Sequence, residues 1–292
     1  MTKDRPLTAL AGFRLGRLPT AKNVGQQGIY HLLAVLICLA MYAPVHLVVV
    51  NSLKDRTDAR SMNIERPTML HWENYSTVIE QANLERAFLN SILYSSSSTL
   101  LSTILAAMAA YVMSRNKTRL NRFLYFFVIM GIAMPVNFFT LTKVMQITQL
   151  INTQIGIIVL YAATQLPFNT FLIYGFVESL PRELDEAAIV DGAGPLRLFF
   201  RVIFPLLTPV LATAALLSFL DVWNNFIFPL YYLNDTSKWP MPLAVYNFLG
   251  QFESSWNLVS ADIVLTILPV IAVYLLGQRF IVSGMTAGSV KG

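Results

Sequence analysis

Six long apolar runs divide the sequence, and they constrain the fold more than any other feature. About 20 consecutive apolar residues in a helix are enough to cross the hydrocarbon core of a bilayer. A chain built from such runs buries its apolar faces against lipid and against its own helices. The sequence therefore predicts an all-α polytopic membrane protein with about six transmembrane helices. The predicted spans are 30–50, 87–114, 123–145, 154–176, 206–232 and 261–281.

The remaining composition excludes several classes of function. Charged residues make up only 13% of the 292-residue chain, about half of the share in soluble domains. Cys38 is the single cysteine, and the three histidines show no metal-ligand spacing. No phosphate-binding G-x-x-x-x-G-K-[ST] loop and no nucleophile–base pair within the spans occur in the sequence. We therefore predict a non-enzymatic chain that holds no metal and no cofactor of its own.

Basic residues between the spans indicate the orientation in the membrane. The stretch "SRNKTRLNR" contains Arg115, Lys117, Arg119 and Arg122 and no acid. Two spans separate it from the basic N-terminal extension, residues 1–28, so both fall on the same side. The positive-inside rule makes this side cytoplasmic, together with both termini and the 183–201 loop. The net charge of +5 thus reflects orientation and predicts no nucleic-acid partner. The first run is too long for a signal peptide and lacks an A-x-A site, which favours an uncleaved anchor.

The loop between the fourth and fifth spans is unusually charged for this chain. It reads "ELDEAAIVDGAGPLRLFFRVIFPLLTP" over 183–209. Pro181 ends the preceding helix, and three acids then lie where the dipole of the next helix favours negative charge. These acids are Glu183, Asp185 and Glu186. Gly192 and Gly194 are expected to stop this helix because glycine accepts a left-handed cap, and Pro195 restarts a second one.

Each of these two short helices carries an apolar face. In the first helix Leu184, Ala187 and Ala188 are expected to share one face. In the second helix the apolar residues follow an i, i+3, i+4, i+7 pattern, and they are Leu196, Phe199, Phe200 and Ile203. A helix, a glycine break and a second helix suit docking into a groove of another protein. A solvated linker between two spans is the alternative.

This loop resembles the "EAA" loop of ABC-importer permeases of the carbohydrate-uptake type. The similar residues are Glu186-Ala187-Ala188, then Asp191-Gly192-Ala193, then Ile203 and Pro205. "FLNSILYSS" (88–96) and "AAYVMSR" (109–115) are similar to that family's second-span signature, and "DVWNNFIFPL" (221–230) is similar to its fifth. "SGMTAGSVKG" (283–292) resembles the tail of the smaller permease subunit of the maltose transporter. The resemblance covers about residues 29–292.

The resemblance implies a type I ABC-importer permease fold in the bacterial cytoplasmic (inner) membrane. It implies a six-helix transmembrane domain over 29–282, a cytoplasmic coupling loop at about 179–205 and a cytoplasmic tail at 283–292. The implied partners are a second homologous permease subunit, two copies of a cytoplasmic ABC ATPase and an extracytoplasmic solute-binding protein. Mg-ATP is expected in the ATPase, and the expected cargo is a sugar, in particular an oligosaccharide.

The resemblance also assigns roles to single residues. In the loop, the residues expected to couple to the ATPase are Glu183, Glu186, Ala187, Ala188, Asp191, Gly192, Ala193 and Pro205. Glu186 is expected to pair with a basic residue of the ATPase, and the two alanines are expected to keep the helix thin enough for its cleft. In the tail, the residues expected to contact the ATPase are Thr286, Ala287, Gly288 and Lys291. A solvated end is the alternative for the tail.

Polar residues inside the fourth and fifth spans are the candidates for a substrate path. An intramembrane acid is costly and marks a functional hypothesis, and Asp221 is such an acid. The neighbouring candidates offer stacking and hydrogen bonds to a sugar, and they are Trp223, Asn224, Asn225, Gln165, Phe168 and Asn169. Interhelical hydrogen bonding is the alternative role for this group. The resemblance implies that the larger permease holds the cargo, so this chain could line the path without binding it.

Two further alternatives concern the function and the third span. A proton-coupled secondary transporter or a channel using Asp221 is the alternative function. Asp221 is nearly alone as an intramembrane acid in this interpretation, and no half-repeat is visible, which disfavours that class. In the third span, Met134, Pro135 and Asn137 predict a proline kink, with a gate as the alternative.

Overall fold

The computed structural model describes residues 21–250 and 254–287, and the side chains of 28–250 and 254–279. These residues contain no strand, which confirms the predicted all-α class. The chain divides into two compact units between Leu47 and Val48. In the first unit, the described residues belong to helix α1 (Ala21–Ser52). Its apolar side chains over 28–46 are all exposed, as expected for a helix that meets lipid.

The second unit contains the other helices. In chain order they are α2 (Glu73–Gln81), α3 (Leu84–Arg115), α4 (Arg119–Ala133), α5 (Phe138–Ile147), α6 (Gln154–Ser179), α7 (Glu183–Val190), α8 (Pro195–Leu198), α9 (Phe204–Leu206), α10 (Thr208–Asn224), α11 (Ile227–Tyr232), α12 (Met241–Ala244) and α13 (Trp256–Ala287). A π-helical turn, Phe199–Ile203, joins α8 to α9. Pro205 explains this wide turn, because it has no N–H to donate to the carbonyl four residues earlier.

Helices α3, α6 and α10 form the centre of the second unit. Ala106, Ala107 and Ala110 of α3 are fully buried and pack in one cluster with Ile173 and Val177 of α6. Helix association in a bilayer depends on close packing, and small side chains allow the backbones to approach. The alanines of α3 therefore set the distance at which its neighbours pack.

The predicted third span is wrong as a single helix with a plain kink. Helices α4 and α5 meet at 118°. Met134 has an extended backbone between them, as expected for a residue that precedes a proline. Asn137 then caps α5, since its Oδ1 accepts a hydrogen bond from the Thr140 N–H at 3.0 Å. The chain therefore changes direction at Pro135 instead of bending slightly.

The predicted fifth span, 206–232, is also interrupted. Helix α10 ends at Asn224, Asn225 is extended, and α11 begins at Ile227. At the other end, the 195–206 segment meets α10 at 78°. Four described helices are long and apolar enough to cross a membrane, and the two bent pairs raise the number to six. The predicted number of spans is thus consistent with the fold, whereas two of the predicted spans are broken.

The segment between α11 and α13 is tied to two other parts of the bundle. The Asn90 side chain of α3 donates to the carbonyl oxygens of Ser237 and Trp239 at 3.0 and 3.1 Å. The Lys238 ammonium donates to the carbonyl oxygen of Asn152, before α6, at 2.8 Å. These contacts order the end of the bundle that lies opposite the α6–α7 connection.

We expect Gly156→Ala to destabilise the fold. A Cβ at this position in α6 would lie 2.1 Å from the carbonyl oxygen of Leu150, and a backbone atom cannot rotate away. Overpacking of this kind costs about 1–3 kcal/mol, which predicts a lower melting temperature in detergent. Gly175→Ala is the matched control in the same helix, because its Cβ would meet nothing within 4 Å. Equal melting temperatures for the two variants would contradict the described packing.

Candidate functional site

An ion pair fixes α7 to the ends of α3 and α6. The Nη2 atom of Arg115 lies 2.9 Å from Oδ2 of Asp185, and the Tyr111 hydroxyl donates to Oδ1 of Asp185 at 2.5 Å. The same guanidinium donates through Nη1 to the carbonyl oxygen of Leu180 at 3.2 Å. The side chains of Arg115 and Asp185 are only 12% and 13% exposed. Each partner of such a pair depends on the other to compensate its buried charge.

Sequence reasoning missed this pair. It interpreted Asp185 as one of three acids favoured by the helix dipole, and Arg115 as part of an orientation signal. The sequence did contain a local indication that Asp185 is buried. Asp185 and Ala188 are three residues apart, so they share a helix face. Both residues of that face are buried, whereas Glu183 and Glu186 are exposed. The pairing partner itself lies on a distant helix, and nothing local indicates it.

Apolar packing completes the attachment of the loop. Ala188 of α7 is buried together with Leu198, Phe199 and Ile203 of the second short helix. All four belong to the cluster that contains the buried alanines of α3 and the apolar face of α6. The rings of Phe199 and Tyr111 lie 5.5 Å apart, so the apolar cluster continues into the ion pair. The loop is therefore held by its inner face along its whole length.

The opposite face of the loop is exposed and partly apolar. Val190, Leu196 and Ile189 are 86%, 67% and 62% exposed. Neighbouring exposed apolar side chains are typical of an interaction surface. Glu183, Glu186 and Ala187 are exposed as well. The loop thus has one face fixed to the bundle and another face that none of the described residues covers.

The predicted common face of Leu184, Ala187 and Ala188 is wrong in its last member. Leu184 is 37% exposed, but Ala188 is only 7% exposed and packs against the bundle. The small size of Ala188 lets α7 lie close to α3, while Ala187 faces outward. The second predicted apolar face is divided in the same way, with Leu196 and Phe200 exposed and its other two members buried.

Gly192 makes the turn after α7. Its φ is +76°, which an L side chain rarely adopts. The Ala193 N–H donates to the Ala188 carbonyl and the Gly192 N–H to the Ile189 carbonyl, both at 2.9 Å. Gly194, expected to act in the same way, instead has φ −68° and ψ 165°. Only one of the two glycines therefore needs a left-handed backbone.

The remaining loop residues of the sequence prediction lie around this turn. Asp191 is exposed and its N–H donates to the Ala187 carbonyl at 3.0 Å. Ala193 is half-buried, and Pro205 is exposed at the end of the second short helix. These positions agree with a rigid, surface-exposed turn.

Three of the seven substrate-path candidates are buried between helices. Asn169 is fully buried; its Nδ2 donates to Oγ of Ser102, and its Oδ1 accepts from Oγ of Ser218, both at 3.1 Å. Trp223 is 1% exposed and donates to the Thr266 carbonyl at 3.3 Å. Gln165 is 8% exposed. Asn169 and Trp223 thus fit the alternative role, the interhelical hydrogen bonds that order the bundle.

The other candidates are accessible to different degrees. Asp221 is exposed, and its Oδ2 accepts a hydrogen bond from Gln165 Nε2 at 2.5 Å. Asn224 and Phe168 are also exposed. Asn225 is half-buried, and its carbonyl oxygen accepts from the Tyr161 hydroxyl at 2.9 Å. The accessible group is therefore Asp221, Asn224 and Phe168, with Gln165 holding the acid.

A second intramembrane acid corrects the view of Asp221 as nearly alone. Asp262 of α13 is 1% exposed, within a helix that is long and apolar enough to span. Its Oδ1 has no hydrogen-bond partner among the described residues. The sequence interpretation overlooked it because it stands at the edge of the predicted last span.

We expect Asn169→Leu to destabilise the bundle. It leaves the hydroxyls of Ser102 and Ser218 without their shared partner, and each lost hydrogen bond of this kind costs about 1 kcal/mol. The variant should melt at a lower temperature in detergent than the wild type. The matched control is Asn224→Leu, where the side chain is exposed and donates only to its own helix, at the Leu220 carbonyl. An unchanged melting temperature for Asn169→Leu would show that these hydrogen bonds do not contribute to the stability of the bundle.

Part of the predicted tail and extension lies outside the described residues. Gly288 and Lys291 belong to that part, as do residues 1–20. Thr286 and Ala287 fall in the last turn of α13, but their side chains are not among those described.

Several known proteins are similar to this chain over nearly its whole length. MelC of Bacillus subtilis, a melibiose/raffinose/stachyose import permease protein, is 32% identical over 264 residues, which cover 89% of this chain and 95% of MelC. NgcG of Streptomyces coelicolor, a diacetylchitobiose uptake system permease protein, is 32% identical over 282 residues, which cover 95% of this chain and 93% of NgcG.

A solved structure shares the fold. It is a chain of a bacterial ABC transporter involved in the import of the acidic polysaccharide alginate, and it superimposes with a TM-score of 0.78. The match covers 90% of this chain and 98% of that chain at 22% identity. The family model of the binding-protein-dependent transport system inner membrane component matches residues 102–287. The chain therefore belongs to the family of binding-protein-dependent transport system inner membrane components.

Proposed function

We propose that this chain is the permease subunit of an ATP-driven importer of an oligosaccharide. A second homologous permease subunit completes the pore, and an extracytoplasmic solute-binding protein delivers the sugar. Two copies of a cytoplasmic ABC ATPase bind Mg-ATP and drive transport, so this chain is a transport subunit and ATP hydrolysis belongs to its partner. The family membership supports the importer, and the oligosaccharides in the names of MelC and NgcG support the class of cargo.

The observation that carries this proposal is the two-faced loop. Its inner face is fixed to α3 and α6 by the Arg115–Asp185 pair and by the buried cluster around Phe199. Its outer face presents Val190 and Leu196. A partner that binds the outer face and moves would carry the ends of α3 and α6 with it, because the inner face leaves the loop little freedom. A rigid element in a groove transmits domain motion in this way.

Single residues take defined roles in this coupling. Glu183 and Glu186 are exposed at the start of α7, where they can pair with basic residues of the ATPase. Ala187 keeps the outer face of α7 thin, Ala188 keeps the inner face close to the bundle, and Gly192 turns the chain between the two short helices.

Basic residues beside the loop support an orientation in the inner membrane with the loop on the cytoplasmic side. Arg115 contacts the coupling loop directly, and Lys117 pairs with Glu178 at the end of α6. The basic α3–α4 connection and the coupling loop therefore share one side, which the positive-inside rule makes cytoplasmic. The segment ordered by Asn90 and Lys238 then faces the solute-binding protein.

The substrate path of the proposal is narrower than the set of residues suggested by sequence. Asp221, Asn224 and Phe168 are accessible and would line the pore against the second permease. Gln165 holds Asp221 by a hydrogen bond. Asn169 and Trp223 act in packing instead.

A pull-down from detergent tests the proposal. The tagged wild type should retain an ABC ATPase and a second permease, which mass spectrometry identifies. Glu186→Arg combined with Gly192→Asp should lose the ATPase and keep the second permease. Glu80→Arg is the matched control, because Glu80 is an exposed acid of α2 away from the loop, and it should retain both partners. A wild-type chain that purifies alone would refute the coupling role.

A further inference from the structure

A basic cluster lies where α3 ends and α4 begins. It consists of Lys117, Arg119 and Arg122. Lys117 Nζ lies 3.0 Å from Oε1 of Glu178, so one of the three charges is compensated. Arg119 and Arg122 are exposed, and neither side chain has a hydrogen-bond or ion-pair partner among the described residues. The cluster therefore keeps a net positive charge.

A cavity of about 170 Å³ opens beside these residues, between α3, α4 and α6. Lys117, Asn121 and Arg122 supply its polar lining, and all three can donate hydrogen bonds. Tyr125 and Tyr174, whose rings stack with centroids 3.9 Å apart, also line it. A water molecule occupies about 30 Å³ in the liquid, so the cavity has room for a tetrahedral phosphate group.

The face of α4 next to the cavity changes from basic to aromatic. Arg119, Arg122, Phe123 and Phe126 stand at i, i+3, i+4 and i+7, which places them on one face of the helix. Phe123 and Phe126 are 63% and 60% exposed. Basic groups one helical turn away from exposed aromatic rings are the pattern expected at the boundary between lipid headgroups and acyl chains.

We propose that this cavity binds the phosphodiester group of an anionic phospholipid. Lys117 and Arg122 contact the phosphate, Arg119 attracts it from the rim, and Phe123 and Phe126 contact the acyl chains. The aromatic face favours a lipid over a free phosphate, because a free phosphate has no acyl chain to contact the aromatic rings. The uncompensated arginines favour a lipid over the second permease subunit, because a protein interface would bury two unpaired charges at high cost.

This inference goes beyond the proposed function and is independent of it. It rests only on the geometry of α3, α4 and α6, and it does not depend on which leaflet of the membrane the cavity faces. The cavity lies close in the chain to the Arg115–Asp185 pair, since Lys117 follows two residues after Arg115, the last residue of α3. An occupied site would therefore stiffen the connection to which the loop is fixed.

Native mass spectrometry of the full chain with added phosphatidylglycerol or phosphatidylcholine tests the site. The wild type should retain phosphatidylglycerol in preference to phosphatidylcholine. Each basic side chain near an anionic membrane surface contributes about a fivefold gain in binding, so Arg119→Gln combined with Arg122→Gln should weaken phosphatidylglycerol binding about 25-fold. Arg119→Lys combined with Arg122→Lys keeps both charges and should retain most of the binding, and it covers the case in which the glutamine variant does not fold.

Arg66→Gln combined with Arg197→Gln is the matched control for net charge. Both arginines are exposed and lie outside the cavity, so this variant should bind phosphatidylglycerol like the wild type. Glycerol phosphate added in excess should not displace the lipid; full displacement would make a free phosphate the ligand and overturn the proposal. Equal retention of the two lipids, or equal loss in the control and in the glutamine variant, would also overturn it. Loss of the lipid when the second permease subunit binds would overturn it as well, because that subunit would then cover the cavity.

Discussion

Asp185→Ala is expected to release α7 from the bundle and to abolish coupled transport while the protein stays in the membrane. The change leaves the Arg115 guanidinium buried without its carboxylate and removes the acceptor of the Tyr111 hydroxyl. Breaking a buried ion pair by removing one partner costs about 3–5 kcal/mol. The cost falls on the loop, because the α3–α6 packing does not involve this carboxylate. Hydrogen exchange over 183–206 should become much faster, and oligosaccharide uptake should be lost.

Two further variants separate the ion pair from a general effect of charge. Glu183→Ala removes an exposed acid of the same helix turn and should leave hydrogen exchange in the loop unchanged. Asp185→Leu combined with Arg115→Met removes both partners, which is less costly than removing one, so it should restore much of the protection. Exchange in Asp185→Ala that equals the wild type would show that the pair does not hold the loop.

Gly192→Val is expected to disrupt coupling, whereas Gly194→Val is expected to be tolerated. The two glycines are two positions apart, and an added Cβ meets nothing within 4 Å at either one. They differ in the backbone, since Gly192 has φ +76° and Gly194 has φ −68° with an extended ψ. A left-handed conformation costs an L residue about 1–2 kcal/mol, and a β-branched side chain raises that cost.

The expected measurement is ATP-driven uptake together with retention of the ATPase in a pull-down. Gly192→Val should lose at least tenfold in uptake and release the ATPase, because the turn that sets the two short helices opens. Gly194→Val should keep both properties, since valine accepts the extended backbone that precedes Pro195. Two variants with the same phenotype would mean that the conformation of Gly192 is not what the loop requires.

The spans were predictable because their signal is local. An apolar run of about 20 residues has few alternatives to a membrane helix, and the 84–115 and 154–179 helices follow the predicted runs closely. The break in the third span is also local in origin, since Pro135 and the Asn137 cap lie within four residues. Sequence reasoning underestimated its angle because a proline fixes where a helix stops, whereas packing decides where the chain goes next.

The site was predictable only in part. The helix, the Gly192 turn and the second helix each follow from residues next to one another. Which face of the loop is buried depends instead on the side at which the bundle packs against it. This packing buries Ala188 and leaves Ala187 exposed. The Arg115–Asp185 pair and the burial of Trp223 join residues on different helices. No local pattern distinguishes them from exposed groups of the same type.

Uptake into proteoliposomes tests the central claim most directly, namely that a partner's ATP hydrolysis drives this chain. The co-purified complex, with its binding protein on the outside and Mg-ATP enclosed, receives a panel of labelled oligosaccharides with and without a proton gradient. We predict uptake that requires enclosed ATP, ignores the proton gradient and is lost in Asp185→Ala. Uptake that proceeds without ATP, follows the proton gradient and is lost in Asp221→Asn would contradict the account.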